Sequence, residues 1–174
     1  MQVLLTQQQI HSTVSRLAQD LTDRHGLADS ILFVGIQRGG VVVAEELIRA
    51  LRAIHPEVSY AFGQLDITFY RDDIRQNILA PDVMNLPFSI ENKIVVLIDD
   101  ILFTGRTIKA ALDALLDYGR PARVELCVLV DRREHRQFPI QADYVGLTLP
   151  TEKHQKLKLV DDQTGGYNLV LLES

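Results

Sequence analysis

The sequence has little cysteine and no long hydrophobic run. Its single cysteine, Cys127, allows no internal disulfide and is typical of a reducing compartment. The apolar neighbours of Cys127 indicate a buried side chain, with a reactive thiol as the alternative. No apolar stretch approaches the ~20 residues that cross a bilayer, and the first residues lack the basic flank and long apolar core of a signal peptide. We therefore expect a cytoplasmic protein without a membrane-spanning segment.

Internal repeats, low-complexity tracts and linker-like segments are also missing, so the 174 residues are expected to form a single domain, residues 1–174. Hydrophobic residues make up 47% and charged residues 24% of the chain, which is typical of a globular protein. The formal net charge of −5 argues against a general attraction to nucleic acid, although it leaves room for a local basic patch.

Hydrophobic periodicity predicts strands that alternate with helices. Short, continuously apolar runs indicate buried strands, and apolar residues three or four positions apart indicate helices. In chain order the predicted elements are a helix over 7–25, a strand over 31–35, a helix over 41–54, a strand over 58–70, a strand over 93–99, a helix over about 105–118 and a strand over 122–130. This alternation predicts an α/β fold, a doubly wound parallel sheet with helices on both faces.

One long polar segment, residues 71–92, interrupts the pattern. Loops of that length inside a compact domain are typically functional lids or disordered segments. Arg71 lies at the mouth of this loop. One interpretation of Arg71 is an ordinary surface ion pair with Asp72 or Asp73.

The chemically most informative stretch is residues 93–107, KIVVLIDDILFTGRT. Its strand delivers Asp99 and Asp100 to the edge of the sheet where ligands bind. The segment 104–107 then opens a helix, whose free N–H groups and positive dipole end favour a phosphate. Two carboxylates suit the vicinal hydroxyls of a ribose, directly or through Mg²⁺. The alternative is that the two acids only cap the helix. In that case their burial would be costly unless a cation or a hydroxyl group bound them.

A second candidate anion site is GIQRGG, residues 35–40, in which an arginine flanked by glycines precedes a helix. By itself this segment is equally compatible with a simple strand–helix turn. A P-loop is excluded as the source of phosphate binding, because the sequence contains no GxxxxGK[ST].

Residues 93–107 resemble the phosphoribosyl-pyrophosphate (PRPP) binding signature of the type I phosphoribosyltransferases, and residues 35–40 are similar to the pyrophosphate loop of that family. The resemblance implies that Asp99 and Asp100 contact the ribose and act with Mg²⁺ while a nucleobase nitrogen displaces pyrophosphate from C1. It also implies catalytic roles for Arg71, Asp99 and Asp100. The residues implied to bind PRPP or the nucleotide are Gln37, Arg38, Gly39, Asp99, Asp100, Ile101, Leu102, Phe103, Thr104, Gly105, Arg106 and Thr107.

Most of the remaining chain is similar to the bifunctional pyrimidine operon attenuator/uracil phosphoribosyltransferase (PyrR) family. The segments that carry this resemblance are 64–73, 113–121, 128–133 and 139–151. It implies transfer of phosphoribose from PRPP to uracil, which yields UMP and pyrophosphate. It further implies base binding at Asp131 and Arg132, a small hood made of the N- and C-terminal segments, and a homodimer or higher homo-oligomer.

Position 103 bears on the choice of base. Purine phosphoribosyltransferases that resemble this pattern carry an acidic residue immediately before the TG of the loop, where it exchanges a proton with the purine N7. This sequence has Phe103 there, and an aromatic ring cannot act as a general base. A pyrimidine is therefore favoured, with a purine or hypoxanthine phosphoribosyltransferase as the alternative.

The PyrR resemblance also implies a second partner, pyrimidine-operon messenger RNA, and hence a UMP-sensing regulator. The sequence departs from the usual pattern at Gln19, Gln141 and Leu147, where the family carries histidine or basic residues. Neither side chain at positions 141 and 147 adds counterion release. Clusters of basic residues are also common on ordinary solvated surfaces. The basic residues that remain are Arg16, Arg132, Arg133, His135, Arg136 and the stretch 153–158.

Overall fold

A computed structural model describes residues 1–27, 30–68 and 84–173 of the chain. Helix α1 starts in a capping box, in which the Thr6 side chain and the Gln9 side chain each accept the other residue's backbone N–H. In chain order the elements are β1 (Gln2–Leu5), α1 (Gln7–His25), β2 (Ile31–Ile36), α2 (Gly39–Ile54), β3 (Ala61–Leu65), β4 (Met84–Asn85), β5 (Ile94–Leu102), α3 (Arg106–Tyr118), β6 (Arg123–Asp131), a 3-10 turn (Arg133–His135), β7 (Tyr144–Thr148), β8 (Lys156–Asp161) and β9 (Tyr167–Leu172).

The main sheet has the strand order β4-β3-β2-β5-β6-β7. Strands β3, β2, β5, β6 and β7 are parallel, and β4 is an antiparallel edge strand. In the register, Gly35 of β2 pairs with Ile98 of β5, and Leu102 of β5 pairs with Asp131 of β6. The carboxyl ends of the central strands therefore meet at one edge, where parallel sheets bind ligands.

The core consists of two apolar layers, one on each face of the sheet. Along β2, Ile31 and Phe33 pack beneath α1 and α2, whereas Leu32 and Val34 pack beneath α3. This alternation follows from the two-residue period of a strand. The sheet is covered by helices on both faces, and the predicted doubly wound α/β fold is confirmed.

A second, three-stranded antiparallel sheet of order β1-β9-β8 joins the two ends of the chain. Leu157 and Leu159 of β8 pack against the α1–α2 side of the core, while Lys156 and Lys158 are exposed. This sheet is the hood that the family resemblance implies.

Two predicted strands differ from the observed ones by three or more residues at an end. Strand β5 runs on to Leu102, because the ladder with β6 continues past the acidic pair. The strand predicted over 58–70 is wrong beyond Leu65 within the described residues. There Asp66 leaves the ladder and its Oδ1 accepts the N–H of Thr68 at 3.0 Å and the hydroxyl of Thr68 at 2.6 Å, which is a turn-forming arrangement.

The cysteine prediction agrees with the structure. Cys127 is fully buried in β6, and burial raises the pKa of its thiol to about 12. Across the described ranges, no helix combines the length and the apolarity needed to cross a membrane.

Candidate functional site

Two carboxylates lie near the carboxyl end of β5, in the middle of the parallel sheet. Asp99 is 6% exposed, and its Oδ1 accepts the N–H of Asp100 at 2.9 Å. Asp100 Oδ1 accepts the N–H of Ile101 at 2.8 Å. Burial, reinforced by the neighbouring charge of Asp100, raises the pKa of Asp99 well above its ordinary value. An approaching cation or hydroxyl donor would relieve this cost, so the pair favours such ligands.

An open cleft of about 300 Å³ lies against the acidic pair. It brings the predicted segment 37–39 to the predicted Asp99 and Asp100, although more than fifty positions of sequence separate them. The cleft is lined by Gln37, Arg38, Gly39, Asp66, Ile67, Thr68, Asp99, Asp100, Ile101 and Thr107.

The first wall of this cleft is the turn between β2 and α2. Arg38 is exposed beside the start of α2, where the helix dipole adds positive potential. The backbone N–H of Gln37 donates to the carbonyl of Leu65 at 2.9 Å, and its side-chain amide donates to Gln64 Oε1 at 3.2 Å. The peptide bond between Gln37 and Arg38 is cis. The two hydrogen bonds of Gln37 tie the turn to β3, while Arg38 faces solvent.

Two glycines in this turn let α2 approach the acidic pair. A Cβ on Gly39 would lie 2.0 Å from Asp100 Oδ2, and a Cβ on Gly40 would lie 2.3 Å from the carbonyl oxygen of Ile98. Neither position tolerates a side chain without movement. The glycines therefore set how closely the start of α2 approaches the acidic pair.

The second wall consists of the loop between β5 and α3 and the first two residues of α3. These residues, 103–107, are here called the TG loop. It borders a smaller cavity of about 160 Å³ together with Asp99, Ile101 and Leu102. Gly105 has φ 92°, a left-handed conformation that favours glycine. The N–H of Arg106 donates to Thr104 Oγ1 at 3.2 Å, and α3 begins at Arg106. The cavity therefore lies at a helix N-terminus, which suits a phosphate.

Arg106, one of the residues implied to bind PRPP or the nucleotide, points partly toward the segment after β6. Its Nε donates to Gln137 Oε1 at 3.0 Å, and its guanidinium lies 5.2 Å from the centre of the Phe138 ring. Arg106 stays exposed.

The predicted base-binding residues, Asp131 and Arg132, are both buried at the end of β6. The Arg132 guanidinium stacks on the Phe103 ring at 4.0 Å from its centre, and its Nε donates to Thr151 Oγ1 at 2.7 Å. The ring of His135 meets the Phe103 ring edge-on, with 5.1 Å between centres. Burial lowers the pKa of Arg132. Phe103 is thus held between Arg132 and His135, beside the smaller cavity.

The basic residues considered for RNA binding are dispersed. Arg132 and Arg136 point inward, and only Arg133 of these arginines is well exposed, at 70% of its side chain. Arg16 donates to the carbonyl oxygens of Val145 and Gly146 and so joins α1 to β7. The predicted basic cluster 132–136 therefore does not form one surface patch.

Positions where the sequence departs from the PyrR pattern also have visible places. The Gln19 amide donates to Asp23 Oδ1 at 2.9 Å on the surface of α1. Gln141 is exposed and borders an apolar groove beside α3, and Leu147 lies in β7.

Sequence-based prediction missed Asp66, Ile67 and Thr68 as cleft residues, although the polar Asp66 inside an apolar strand pattern was the available signal. Arg71 and most of the predicted lid lie outside the described residues.

The acidic pair has the donor chemistry that Mg²⁺ prefers, since both side chains offer hard oxygen ligands. In the part of the chain that the structure describes, however, no three His, Cys, Asp or Glu side chains are grouped closely enough to hold a metal ion by themselves. Mg²⁺ commonly binds through one or two carboxylates and completes its coordination with substrate oxygens and water. The arrangement fits an ion that arrives with its substrate.

Known proteins resemble the chain over nearly its whole length. Residues 3–162 match the phosphoribosyl transferase domain family. The chain is 42% identical to bifunctional protein PyrR of Haemophilus ducreyi over 172 residues, covering 98% of this chain and 95% of that protein. It is also 42% identical to bifunctional protein PyrR of Geobacter sulfurreducens over 175 residues, with coverage of 98% and 97%.

Two solved structures extend the comparison to three dimensions. A hypoxanthine phosphoribosyltransferase of Staphylococcus aureus matches with a TM-score of 0.69 and 30% identity, covering 87% of this chain and 80% of that one. The hypoxanthine phosphoribosyltransferase of Trypanosoma cruzi matches with a TM-score of 0.72 and 22% identity, covering 99% and 97%. At that identity the second match is a likeness of fold.

Proposed function

This chain belongs to the PyrR family of phosphoribosyl transferase domain proteins, and on that premise we propose that it transfers phosphoribose from PRPP to uracil and releases UMP and pyrophosphate. The observation that carries the proposal is the single cleft formed by the segment 37–39, the acidic pair and Thr107. Such a cleft offers an anion site, a diol site and a second anion site in the order in which PRPP presents pyrophosphate, ribose and 5′-phosphate.

Binding is expected to follow the charges of these groups. We assign the 5′-phosphate to the TG loop, where backbone N–H groups and the positive end of α3 meet. The pyrophosphate falls to Gln37, Arg38 and Gly39 at the start of α2. Between them, the acidic pair accepts hydrogen bonds from the ribose hydroxyls.

The reaction breaks the bond between C1 and the pyrophosphate oxygen and forms a bond between C1 and a uracil nitrogen, which gives up its proton to water or to the released pyrophosphate. A Mg²⁺ ion held through Asp99 and Asp100 would neutralise charge on the leaving pyrophosphate. We assign to Arg71 the role of meeting that pyrophosphate from the lid, which would exclude water from the reacting centre. The chain otherwise contributes orientation, since a correctly placed nucleophile and leaving group supply much of the rate.

Uracil is favoured over a purine by the residue beside the ribose site. The Phe103 ring is enclosed by Arg132 and His135 and offers no carboxylate that could exchange a proton with a purine N7. We place the base near this ring and the end of β6, where Asp131 and Arg132 lie. A cytoplasmic location is part of the proposal and is supported by the single, buried cysteine.

The deciding experiment supplies the purified protein with PRPP, Mg²⁺ and one nucleobase at a time, and follows pyrophosphate release. We expect turnover with uracil and little or none with hypoxanthine, guanine or adenine, because only the pyrimidine needs no acid–base partner at position 103. Turnover of hypoxanthine without turnover of uracil would reject uracil as the substrate and support the alternative of a purine phosphoribosyltransferase. Light scattering on the same sample tests the expected homodimer or higher oligomer.

A second candidate function is binding of pyrimidine-operon messenger RNA with UMP as the regulating ligand. Two observations favour it: the relatives at 42% identity are named bifunctional, and β8 presents Lys156 and Lys158 on its exposed side. Lysines on one side of a strand can contact successive phosphates, and each contact releases counterions.

A further inference from the structure

The segment after β6 braces the TG loop from behind. The carbonyl of Thr104 accepts two backbone N–H groups, from Gln137 at 2.8 Å and from Phe138 at 3.1 Å. The carbonyl of Phe103 accepts a hydrogen bond from Nη1 of Arg136 at 2.5 Å. Two successive carbonyls of the loop are therefore held by groups that do not belong to the loop.

Arg136 connects this brace to the sheet. Its Nη2 contacts Asp131 Oδ1 at 2.5 Å, with 15% of the Arg136 side chain and 2% of the Asp131 side chain exposed. A charge-assisted pair that is this well enclosed is short and little screened by salt. The Arg136 guanidinium thus joins Asp131, the last residue of β6, to Phe103 in the TG loop.

The packing around Gly105 closes the same brace. A Cβ on Gly105 would lie 3.3 Å from the Cβ of Phe138 and 3.5 Å from the Cδ of Arg136. The loop consequently has little room to retreat from the cavity in front of it.

The direction of the loop amides follows from peptide geometry. In a planar trans peptide the C=O and the N–H point in opposite directions. Because the carbonyls of Phe103 and Thr104 are held toward the brace, the N–H groups of Thr104 and Gly105 are turned away from it, toward the cavity that the loop borders. These are the donors that a phosphate requires.

We propose that Arg136 is a positioning residue for phosphoribosyl transfer, which holds the TG loop so that its amides face the 5′-phosphate. This inference rests on the proposed function insofar as the TG loop is taken to bind that phosphate. It assigns Arg136 to the interior of the enzyme, where its guanidinium orders the loop without touching the ligand.

The test compares Arg136→Ala and Arg136→Lys with a matched control, Arg133→Ala. Arg133 belongs to the same segment and lies 3.8 Å from the other oxygen of Asp131, yet 70% of its side chain is exposed. Calorimetric titration with ribose 5-phosphate measures the phosphate site directly. Steady-state kinetics give KM for PRPP, KM for uracil and kcat separately.

We expect Arg136→Ala to weaken ribose 5-phosphate binding by about 10- to 100-fold, as for other small displacements of a positioning group. KM for PRPP should rise by the same factor, while kcat at saturating PRPP stays within about threefold. Arg136→Lys should recover part of the affinity, because an ammonium reaches one of the two acceptors. Arg133→Ala should behave like the unaltered protein.

A second variant distinguishes a folding defect from a loss of loop positioning. Arg136→Ala leaves the Asp131 carboxylate buried without its partner, so the double variant Asp131→Asn/Arg136→Ala removes that penalty. We expect the double variant to melt closer to the unaltered protein while still binding ribose 5-phosphate weakly. Recovery of full affinity in the double variant, or an Arg136→Ala protein that binds normally, would overturn the positioning role.

The two proposals fail in different ways. An unaltered protein that binds ribose 5-phosphate and loses affinity on Arg136→Ala, but consumes no uracil, would support the positioning role and reject the uracil reaction. An unaltered protein that turns over uracil, with no change in KM for PRPP on Arg136→Ala, would reject the positioning role alone.

Discussion

At the scale of single residues, the buried Asp99 carboxylate suits a cation or a hydroxyl donor, but it destabilises the fold when no such ligand is bound. The carboxylate is 6% exposed and lies next to a second acid, and burial with the adjacent charge raises its pKa. A carboxyl group that is harder to ionise in the folded state than in the unfolded state destabilises the fold at neutral pH. Strain of this kind is common at functional sites.

Asp99→Asn is therefore expected to abolish uracil turnover and to stabilise the protein. Asn keeps the oxygen that accepts the Asp100 N–H but removes the buried charge. We expect turnover to fall by at least about 100-fold and the melting temperature at pH 7 to rise by roughly 2–4 °C, which corresponds to about 1 kcal/mol for a chain of this size. Calorimetry and the pyrophosphate assay measure the two effects.

The pH dependence gives the sign of the Asp99 effect. Below the ordinary carboxyl pKa of 3.8, Asp99 is protonated in both states and the stability gain of Asp99→Asn should vanish. The gain should grow as the pH rises above that value and level off once the raised pKa of the folded state is passed. Asp113→Asn, an exposed acid on α3 paired with Lys109, is the control and should show neither effect. A gain that persists unchanged at low pH would contradict this account.

At the scale of elements, the site depends on how closely α2 approaches β5. A Cβ at Gly40 would lie 2.3 Å from the carbonyl oxygen of Ile98 and 3.0 Å from the Cα of Asp99. Both obstacles are backbone atoms of the strand that carries the acidic pair. The packing of α2 on β5 therefore sets the distance between the segment 37–39 and the acidic pair.

Gly40→Ala should displace the start of α2 and weaken both stability and PRPP binding. We expect a loss of roughly 2–3 kcal/mol in the free energy of unfolding, as for other overpacked positions, and a clear rise in KM for PRPP. Urea unfolding and steady-state kinetics measure these quantities.

Gly26→Ala is the matched control for Gly40→Ala. Gly26 has φ 68° and no atom within 4 Å of a built Cβ, so alanine there introduces backbone strain without a clash. We expect a loss of about 1 kcal/mol and an unchanged KM for PRPP. Equal effects of the two substitutions on KM would show that α2 placement does not govern the cleft.

At the scale of the whole molecule, electrostatics limits how RNA could bind. The net charge is −5, and the arginines at 132 and 136 are committed to contacts inside the protein. Lys156 and Lys158 of β8 are exposed on one side of the strand. RNA affinity carried by so few contacts should be modest and strongly dependent on salt.

The RNA prediction is tested by gel shift with a pyrimidine-leader transcript, with and without UMP, over a range of salt concentrations. We expect the slope of log affinity against log salt to fall by about 1–2 units in the double variant Lys156→Gln/Lys158→Gln. Lys109→Gln, on α3, should leave the slope unchanged. Absence of any salt-sensitive shift would leave phosphoribosyl transfer as the sole function.

Much of the fold and the site could be predicted because their signals are local. The alternation of apolar strands with amphipathic helices indicates a doubly wound sheet, and residues 93–107 contain a strand, an acidic pair and a helix start in one continuous stretch. Hydrophobic period and short-range spacing need no knowledge of distant contacts. Even so, the end of β5 was misplaced, because the ladder with β6 carries it past the acidic pair.

The sequence by itself determined the α/β class, the identity of the acidic pair and the kind of ligand that the TG loop suits. Only the tertiary structure decided which residues share the cleft and where the arginines point. Parallel register brings the segment 37–39 and Asp66 to Asp99, and contacts with Asp131 and Phe103 turn Arg136 inward. These outcomes depend on pairing between strands far apart in the chain. A cluster of arginines has the same local sequence whether its side chains face solvent or a buried carboxylate, so the sequence does not show their direction.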